Sequence, residues 1–148
     1  MPSIHPTTRS TTRVRRPGRV LVVDDEPSLG GALQLLLSDE NEVVVVHSAT
    51  AALARIAGGE RYDVVLCDLM MPIMDGIELH RRLSITYPEE AERMVFMTGG
   101  AMTARVDAFF RRVPNLLLDK PIDLDGLRAL IERRVGSPLA AASGRGWI

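Results

Sequence analysis

The chain has 148 residues, of which 46% are hydrophobic and 25% charged, a composition typical of one globular domain with a buried core. Its apolar runs have the length of a strand or a helix face. They fall short of the roughly 20 residues that a membrane span needs, so no span is expected. Cys67 is the only cysteine, which excludes an internal disulfide and favours the cytoplasm.

The net charge of −1 hides an uneven distribution. Residues 1–19 contain five arginines and no acid, which leaves 13 basic residues against 19 acidic ones in the remainder. Residues 1–18 are therefore predicted to form a basic flexible arm or linker, with contact to nucleic acid or an anionic membrane, or a transit-peptide role, as alternatives. No apolar segment follows the arginines, which argues against a secretory signal. The segment 136–148 is rich in Gly, Ser and Ala and is predicted to be a flexible tail.

From Arg19 onward, short apolar runs alternate five times with segments of helical periodicity. This alternation is typical of an α/β fold with a parallel sheet. The runs are nearly continuous in apolar residues, as expected for strands that helices cover on both faces. The predicted strands are Val20–Val23, Glu42–Val46, Asp63–Cys67, Met94–Met97 and Leu116–Leu118.

Five helices are predicted between and after these strands. Their apolar residues recur at spacings of three and four, which places them on one face of each helix. One domain, residues 19–135, thus accounts for the patterned part of the chain. The helical segments are Leu29–Leu37, Ala49–Ala57, Asp75–Thr86, Val106–Val113 and Leu124–Val135.

Polar residues follow the ends of four of the strands. In an open α/β sheet, ligands bind beyond the carboxyl ends of the strands, where Asp24, Asp25, Asp68, Thr98 and Lys120 are expected to meet. Carboxylates about 4 Å apart repel by roughly 4 kcal/mol at an effective dielectric near 20, and a divalent cation would relieve that repulsion. Oxygen ligands without histidine or cysteine favour Mg²⁺, and therefore a phosphoryl site in which Asp68 is the nucleophile.

Each of these residues also has an ordinary structural interpretation. Asp24 and Asp25 precede Pro27 and could favour the start of a helix. Asp68 and Thr98 could be a loop acid and a capping hydroxyl. These alternatives stay open for each residue taken singly.

Lys120 is the exception, because it is the only lysine among 18 basic residues. A compact ammonium group on a long stem makes a point contact to phosphate, which the planar guanidinium of arginine would not reproduce. Its position beside Pro121 at a strand end therefore indicates a functional role.

The polar residues belong to four motifs in the sequence. They are LVVDDEP at 21–27, VVLCDLMMPIMDG at 64–76, VFMTGG at 95–100 and LLDKP at 117–121. Taken together, these motifs resemble the receiver domain of response regulators in two-component signalling. The resemblance covers about Arg19 to Val135, and it implies a flavodoxin-like sheet of five parallel strands in the order 2-1-3-4-5.

The resemblance also implies roles for the acidic residues. Asp68 would be the phosphoacceptor, and Mg²⁺ would bind Asp68, Asp25 directly, Asp24 largely through water, and the backbone carbonyl of Met70. The chain would then be a signalling phosphoacceptor that assists its own phosphorylation and dephosphorylation, and not an enzyme.

The remaining motif residues have implied roles as well. Thr98 and Lys120 would contact the phosphoryl oxygens, a cis peptide would join Lys120 to Pro121, and Gly76 would allow a tight turn after the third strand. Leu117 departs from the family, which often has Tyr or Phe three residues before this lysine. Coupling through an aromatic ring is therefore not expected here.

The implied partner is a histidine kinase or a histidine phosphotransfer domain, and the motifs are similar to receivers at the C-terminus of hybrid histidine kinases. A magnesium-dependent phosphohydrolase of the haloacid dehalogenase type is the alternative function, but its second aspartate is replaced by Met70. Only 13 residues follow Val135, too few for a helix-turn-helix module, so direct DNA binding is not expected.

Overall fold

The computed structural model describes residues 16–136, so most of the predicted basic arm and the tail beyond Gly136 lie outside the described residues. Five parallel strands form one sheet in the order β2-β1-β3-β4-β5, which confirms the predicted topology. The strands are β1 Gly18–Val23, β2 Asn41–Val46, β3 Val64–Asp68, β4 Met94–Thr98 and β5 Leu117–Asp119.

The described part of the chain contains six helices, where the sequence predicted five. The additional helix begins at Pro88 and has only five residues, too few for apolar periodicity to reveal it. Proline at its start and Glu89 in its first turn both favour the amino end of a helix. The helices are α1 Pro27–Leu37, α2 Ala49–Ala57, α3 Gly76–Thr86, α4 Pro88–Glu92, α5 Ala104–Arg112 and α6 Leu124–Gly136.

The core consists of two layers, one on each face of the sheet. Neighbouring residues of a strand point to opposite faces, and both faces are covered, so the strands have to be apolar at every position. In β1, Leu21 and Val23 face α2, α3 and α5, whereas Val20 and Val22 face α1 and α6. Between residues 16 and 136, no helix combines the length and the apolar content needed to cross a bilayer.

Parallel pairing brings the functional strand ends to one edge of the sheet. Val23 pairs with Cys67, so the next residues, Asp24 and Asp68, lie at the same level of adjacent strands. Thr98 ends β4, and its carbonyl oxygen accepts a hydrogen bond of 2.8 Å from the amide of Lys120. The register of the sheet therefore gathers residues from β1, β3, β4 and β5.

At the opposite end of the sheet, where the strands begin, the carboxylate of Asp63 joins neighbouring segments of the chain. It accepts hydrogen bonds from Arg16, at 2.7 and 3.0 Å, and from the backbone amide of Arg19, at 2.8 Å. The carbonyl oxygen of Asp63 accepts a bond from Arg134, which also donates to the carbonyl of Arg93. These bonds connect the segment before β1, the start of β3 and the end of α6.

We expect Asp63→Asn to lower the free energy of unfolding by about 1 kcal/mol at pH 7. Burial alone would raise the pKa of Asp63, but the bonds from Arg16 and Arg19 lower the pKa below its ordinary value. The stabilisation by the ionised group is therefore present above the unfolded pKa and is lost as the pH falls through the lower folded pKa. Urea unfolding between about pH 7 and pH 3 should show the wild type and the variant converging in stability.

The matched control is Asp107→Asn, which removes an exposed carboxylate paired with Arg111 within α5. Its effect at pH 7 should be smaller, because exposed pairs within a helix contribute little. A stability difference for Asp63→Asn that stays constant over the whole pH range would contradict the assignment.

Candidate phosphoryl-transfer site

The ammonium group of Lys120 lies between the carboxylates of Asp24 and Asp68. Its Nζ is 3.2 Å from Oδ2 of Asp24 and 2.9 Å from Oδ2 of Asp68. Lys120 follows β5, the outermost strand on its side of the sheet, whereas Asp24 follows β1 and Asp68 ends β3, nearer the centre. The lysine side chain thus extends across the end of β4 to reach them.

Asp24 is fully buried and uses both carboxylate oxygens. Oδ1 accepts a 2.9 Å hydrogen bond from the amide of Glu26, which forms the turn between β1 and α1, and Oδ2 contacts Lys120. The residue before α1, Glu26, makes no side-chain capping bond to the helix. Helix capping therefore accounts neither for the contact of Asp24 with Lys120 nor for the presence of Asp25.

The two charges influence each other's protonation. Burial raises the pKa of Asp24, and the nearby charge of Asp68 raises it further, while the Glu26 amide and Lys120 act in the opposite direction. Burial alone would lower the pKa of Lys120, but its contacts with Asp68 and Asp24 raise the pKa above its ordinary value. The lysine thus stays charged at neutral pH.

Three carboxylates converge at this edge of the sheet. Asp24, Asp25 and Asp68 each have a ligand oxygen, and these oxygens lie within 4.8 Å of one another. The single ammonium of Lys120 leaves two negative charges without compensation when all three acids are ionised. An all-oxygen set with this excess charge fits Mg²⁺, which usually binds one or two carboxylates, phosphate oxygens and water.

The structure brings the other predicted residues to the same edge. The amide of Met70 donates a 3.2 Å hydrogen bond to Oδ1 of Asp68, and the Met70 side chain is exposed. The hydroxyl of Thr98 accepts a 3.2 Å bond from the amide of Gly100. Asp24, Asp25, Asp68 and Lys120 therefore form the centre, with Thr98 at the end of β4 and Met70 in the loop after β3. The magnesium contact predicted for the Met70 carbonyl stays a prediction.

Two backbone features expected from the motifs are present. The peptide bond between Lys120 and Pro121 is cis. A Cβ atom at position 76 would lie 2.6 Å from the carbonyl oxygen of Asp68, so only glycine allows the chain to pass this close. Leu117 packs partly buried against the core layer that contains Phe96 and Phe109, in the place where the family often has an aromatic ring.

Sequence reasoning missed the role of Asp75 beside this site. Its Oδ1 caps α3 by accepting a 2.9 Å hydrogen bond from the amide of Glu78, and its carboxylate also pairs with Arg105 of α5. An acid followed three residues later by glutamate is a helix-start signal that the sequence contains. The partner on α5 has no such signal, because it lies 30 residues further along the chain.

Known proteins share the sequence pattern of this chain. The model of the response regulator receiver domain matches residues 20–132. The chain is 30% identical over 117 residues to the transcriptional regulatory protein GlrR of Escherichia coli, covering 79% of this chain and 26% of that protein. It is also 30% identical over 115 residues to the aerobic respiration control sensor protein ArcB of Escherichia coli, covering 77% of this chain and 14% of that protein.

A solved structure supports the same assignment. The response regulator receiver domain protein from Clostridium thermocellum superposes with a TM-score of 0.70 at 26% identity, covering 80% of this chain and 94% of that one. The chain spans about a quarter of GlrR and a smaller part of ArcB, so the likeness to these proteins concerns one domain of each. The chain belongs to the response regulator receiver domain family.

Proposed function

We propose that Asp68 accepts a phosphoryl group from the phosphohistidine of a histidine kinase or a histidine phosphotransfer domain. The contact of Lys120 with both Asp24 and Asp68 is the observation that carries this proposal. It places a cation beside a carboxylate that is otherwise surrounded by acids, where negative charge would increase during transfer. The excess of acidic residues beyond the first 19 leaves the domain itself acidic.

In the proposed reaction, a carboxylate oxygen of Asp68 forms a bond to phosphorus as the bond between phosphorus and the histidine nitrogen breaks. The electron pair of that bond stays on the imidazole, which then takes up a proton, and the product is an aspartyl phosphate. The ammonium of Lys120 offers its hydrogen atoms to a phosphoryl oxygen, and the hydroxyl of Thr98 offers a further one. Both groups already lie at this edge of the sheet.

The proposed metal is Mg²⁺, held by Asp24, Asp25 and Asp68 and by the backbone carbonyl of Met70. When bound, it supplies positive charge that offsets the repulsion among the acids and the incoming phosphoryl oxygens. The ligand oxygens of the three acids lie within 4.8 Å of one another, which supports their proposed role as metal ligands. The exposed position of Asp25 would let it exchange between solvent and metal without unfolding the turn.

The output of the proposed reaction is a change in the loops after β4 and β5. A phosphoryl group adds roughly −1.5 to −2 charge at Asp68, and Lys120 and Thr98 are placed to follow it. Moving a two-state balance from 1:99 to 99:1 requires about 5.5 kcal/mol, more than one charged contact and one hydroxyl contact comfortably supply. With Leu117 in place of an aromatic residue, the shift would be partial and confined mainly to residues 98–106.

This reading makes the chain a switch that assists its own phosphorylation and dephosphorylation, and not a turnover enzyme. The switch would change a surface of this chain that binds a downstream protein, and a phosphohistidine donor would place the module in the cytoplasm. The buried free thiol of Cys67 is compatible with a reducing compartment. The apolar, exposed side chain of Met70 stands where a phosphohydrolase would need its second acid, so no observation favours that alternative.

We expect wild-type protein incubated with acetyl phosphate and Mg²⁺ to gain one phosphoryl mass and Asp68→Asn to gain none. Asparagine keeps the size of the side chain but removes the nucleophilic carboxylate. Intact-protein mass spectrometry measures the outcome. Asp119→Asn is the matched control, because Asp119 is an exposed acid that also ends a strand of the sheet, β5; it should be labelled like the wild type, and labelling of Asp68→Asn would refute the assignment.

Asp25→Ala should weaken Mg²⁺ binding by about tenfold or more, since even outer-shell changes at metal sites cost about tenfold. Its stability without metal should be unchanged or higher, because one repelling carboxylate has been removed. Calorimetric titration with Mg²⁺ and urea unfolding give the two quantities. Glu26→Ala, which changes the adjacent exposed acid, should leave the affinity unchanged; a destabilised Asp25→Ala with normal Mg²⁺ affinity would instead assign Asp25 a structural role.

Thr98→Ala should bind beryllofluoride, which stands in for the phosphoryl group, but lose most of the protection that the wild type gains across residues 97–106. The variant lacks the hydroxyl that accepts the bond from the Gly100 amide and that would contact the ligand. Hydrogen exchange with and without beryllofluoride is the measurement. Lys120→Ala should behave similarly, although it also leaves two buried carboxylates without their partner and costs stability.

Thr103→Ala is the control for this experiment, because Thr103 lies in the same loop and caps α5 through a 3.2 Å bond to the amide of Val106. It should lower protection at the start of α5 with and without ligand, and the ligand-induced gain should persist. If Thr98→Ala gains as much protection as the wild type when beryllofluoride binds, the loop is coupled to Asp68 through other groups.

A further inference from the structure

An ion pair joins the first turn of α5 to the residue that caps α3. Nη1 of Arg105 lies 2.6 Å from Oδ2 of Asp75, and Nη2 lies 3.4 Å from Oδ1. The arginine side chain is 56% exposed and the aspartate side chain 20% exposed. The pair connects the residue that ends the loop after β3 with the helix that follows the loop after β4.

The position of Arg105 is not explained by the stability of its own helix. A cation in the first turn opposes the helix dipole, which favours acids at that end and bases at the other. The same helix has Arg111 and Arg112 in its last turn, where they are favourable. The ion pair with Asp75 therefore compensates Arg105 for its unfavourable interaction with the helix dipole.

Asp75 is tightly connected to the backbone of Asp68. The next residue, Gly76, donates a 3.0 Å hydrogen bond to the carbonyl of Leu69, and its Cα passes so close to Asp68 that no side chain fits there. Asp75 also caps α3 through the amide of Glu78. Arg105 is thus anchored to a rigid part of the site.

The loop between β4 and α5 is fastened at both ends. At its start, the amide of Gly100 bonds to the hydroxyl of Thr98, and at its end, Thr103 caps α5 and Arg105 binds Asp75. The intervening residues 99–102 are exposed. A displacement of Thr98 would therefore be passed along a short loop to the turn that contains Arg105.

We propose that Arg105 is a positioning residue whose bond to Asp75 holds this loop in its unphosphorylated arrangement. The inference rests on the proposed function of Asp68 and Thr98. When the Thr98 hydroxyl turns toward a phosphoryl group on Asp68, Gly100 follows it and draws the start of α5 away from Asp75. The ion pair opposes that movement, so Arg105 sets how readily the phosphoryl group switches the loop.

The test is the affinity for beryllofluoride at saturating Mg²⁺, measured by titration calorimetry on the full chain. Arg105→Gln should bind about two- to fivefold more tightly than the wild type, the range expected for an exposed ion pair. Arg105→Lys, which keeps a charge but reaches one oxygen, should be intermediate. Removing a cation near an anionic ligand would by itself weaken binding, so tighter binding identifies release of the loop.

Arg111→Gln is the matched control, because it breaks an ion pair within the same helix by the same substitution. It should leave the affinity unchanged, although it removes a favourable charge from the last turn. Hydrogen exchange without ligand should be faster at residues 99–106 in Arg105→Gln only. If the wild type does not bind beryllofluoride, the proposed function is wrong. If the wild type binds it but Arg105→Gln binds it equally or more weakly, the role proposed for Arg105 is wrong.

Discussion

The ammonium of Lys120 compensates two carboxylates that the fold forces together. Parallel pairing of β1 and β3 places Asp24 and Asp68 at the same level, and burial of Asp24 makes their repulsion stronger than it would be in water. One lysine reduces this repulsion without eliminating it, since Asp25 adds a third carboxylate. The site therefore keeps a net negative charge, which suits it to a divalent cation; in the proposed function, that cation would in turn offset the negative charge of the phosphoryl group.

The rest of the domain supports this concentration of like charge. Both faces of the sheet are closed by apolar layers, and the edge opposite the site is joined by well-paired contacts of Asp63 and Arg134. Bonds at that end connect β1, β3 and α6 without involving Asp24, Asp25 or Asp68. The three converging carboxylates thus lie at the end of the sheet opposite to these bonds.

The sequence was sufficient to predict the sheet and the centre of the site. Strands covered on both faces have to be apolar throughout, and in a parallel sheet all carboxyl ends meet at one edge, so Asp24, Asp68 and Lys120 could be placed together from their positions alone. The short helix Pro88–Glu92 could not be predicted, because five residues are too few to show a period. The bond between Arg105 and Asp75 depends on how two helices approach each other, which no local pattern encodes.

Because Lys120 is the only lysine among the 148 residues, labelling the chain with ¹⁵N-lysine gives one side-chain signal that reports directly on this contact. We expect Nζ to titrate above the ordinary pKa of lysine in the metal-free protein, and its signal to shift when Mg²⁺ and beryllofluoride are added. In Asp68→Asn, the titration should move toward the ordinary value and the response to beryllofluoride should vanish. An Nζ signal that titrates like that of an exposed lysine and does not respond to the analogue would contradict the central role given to Lys120.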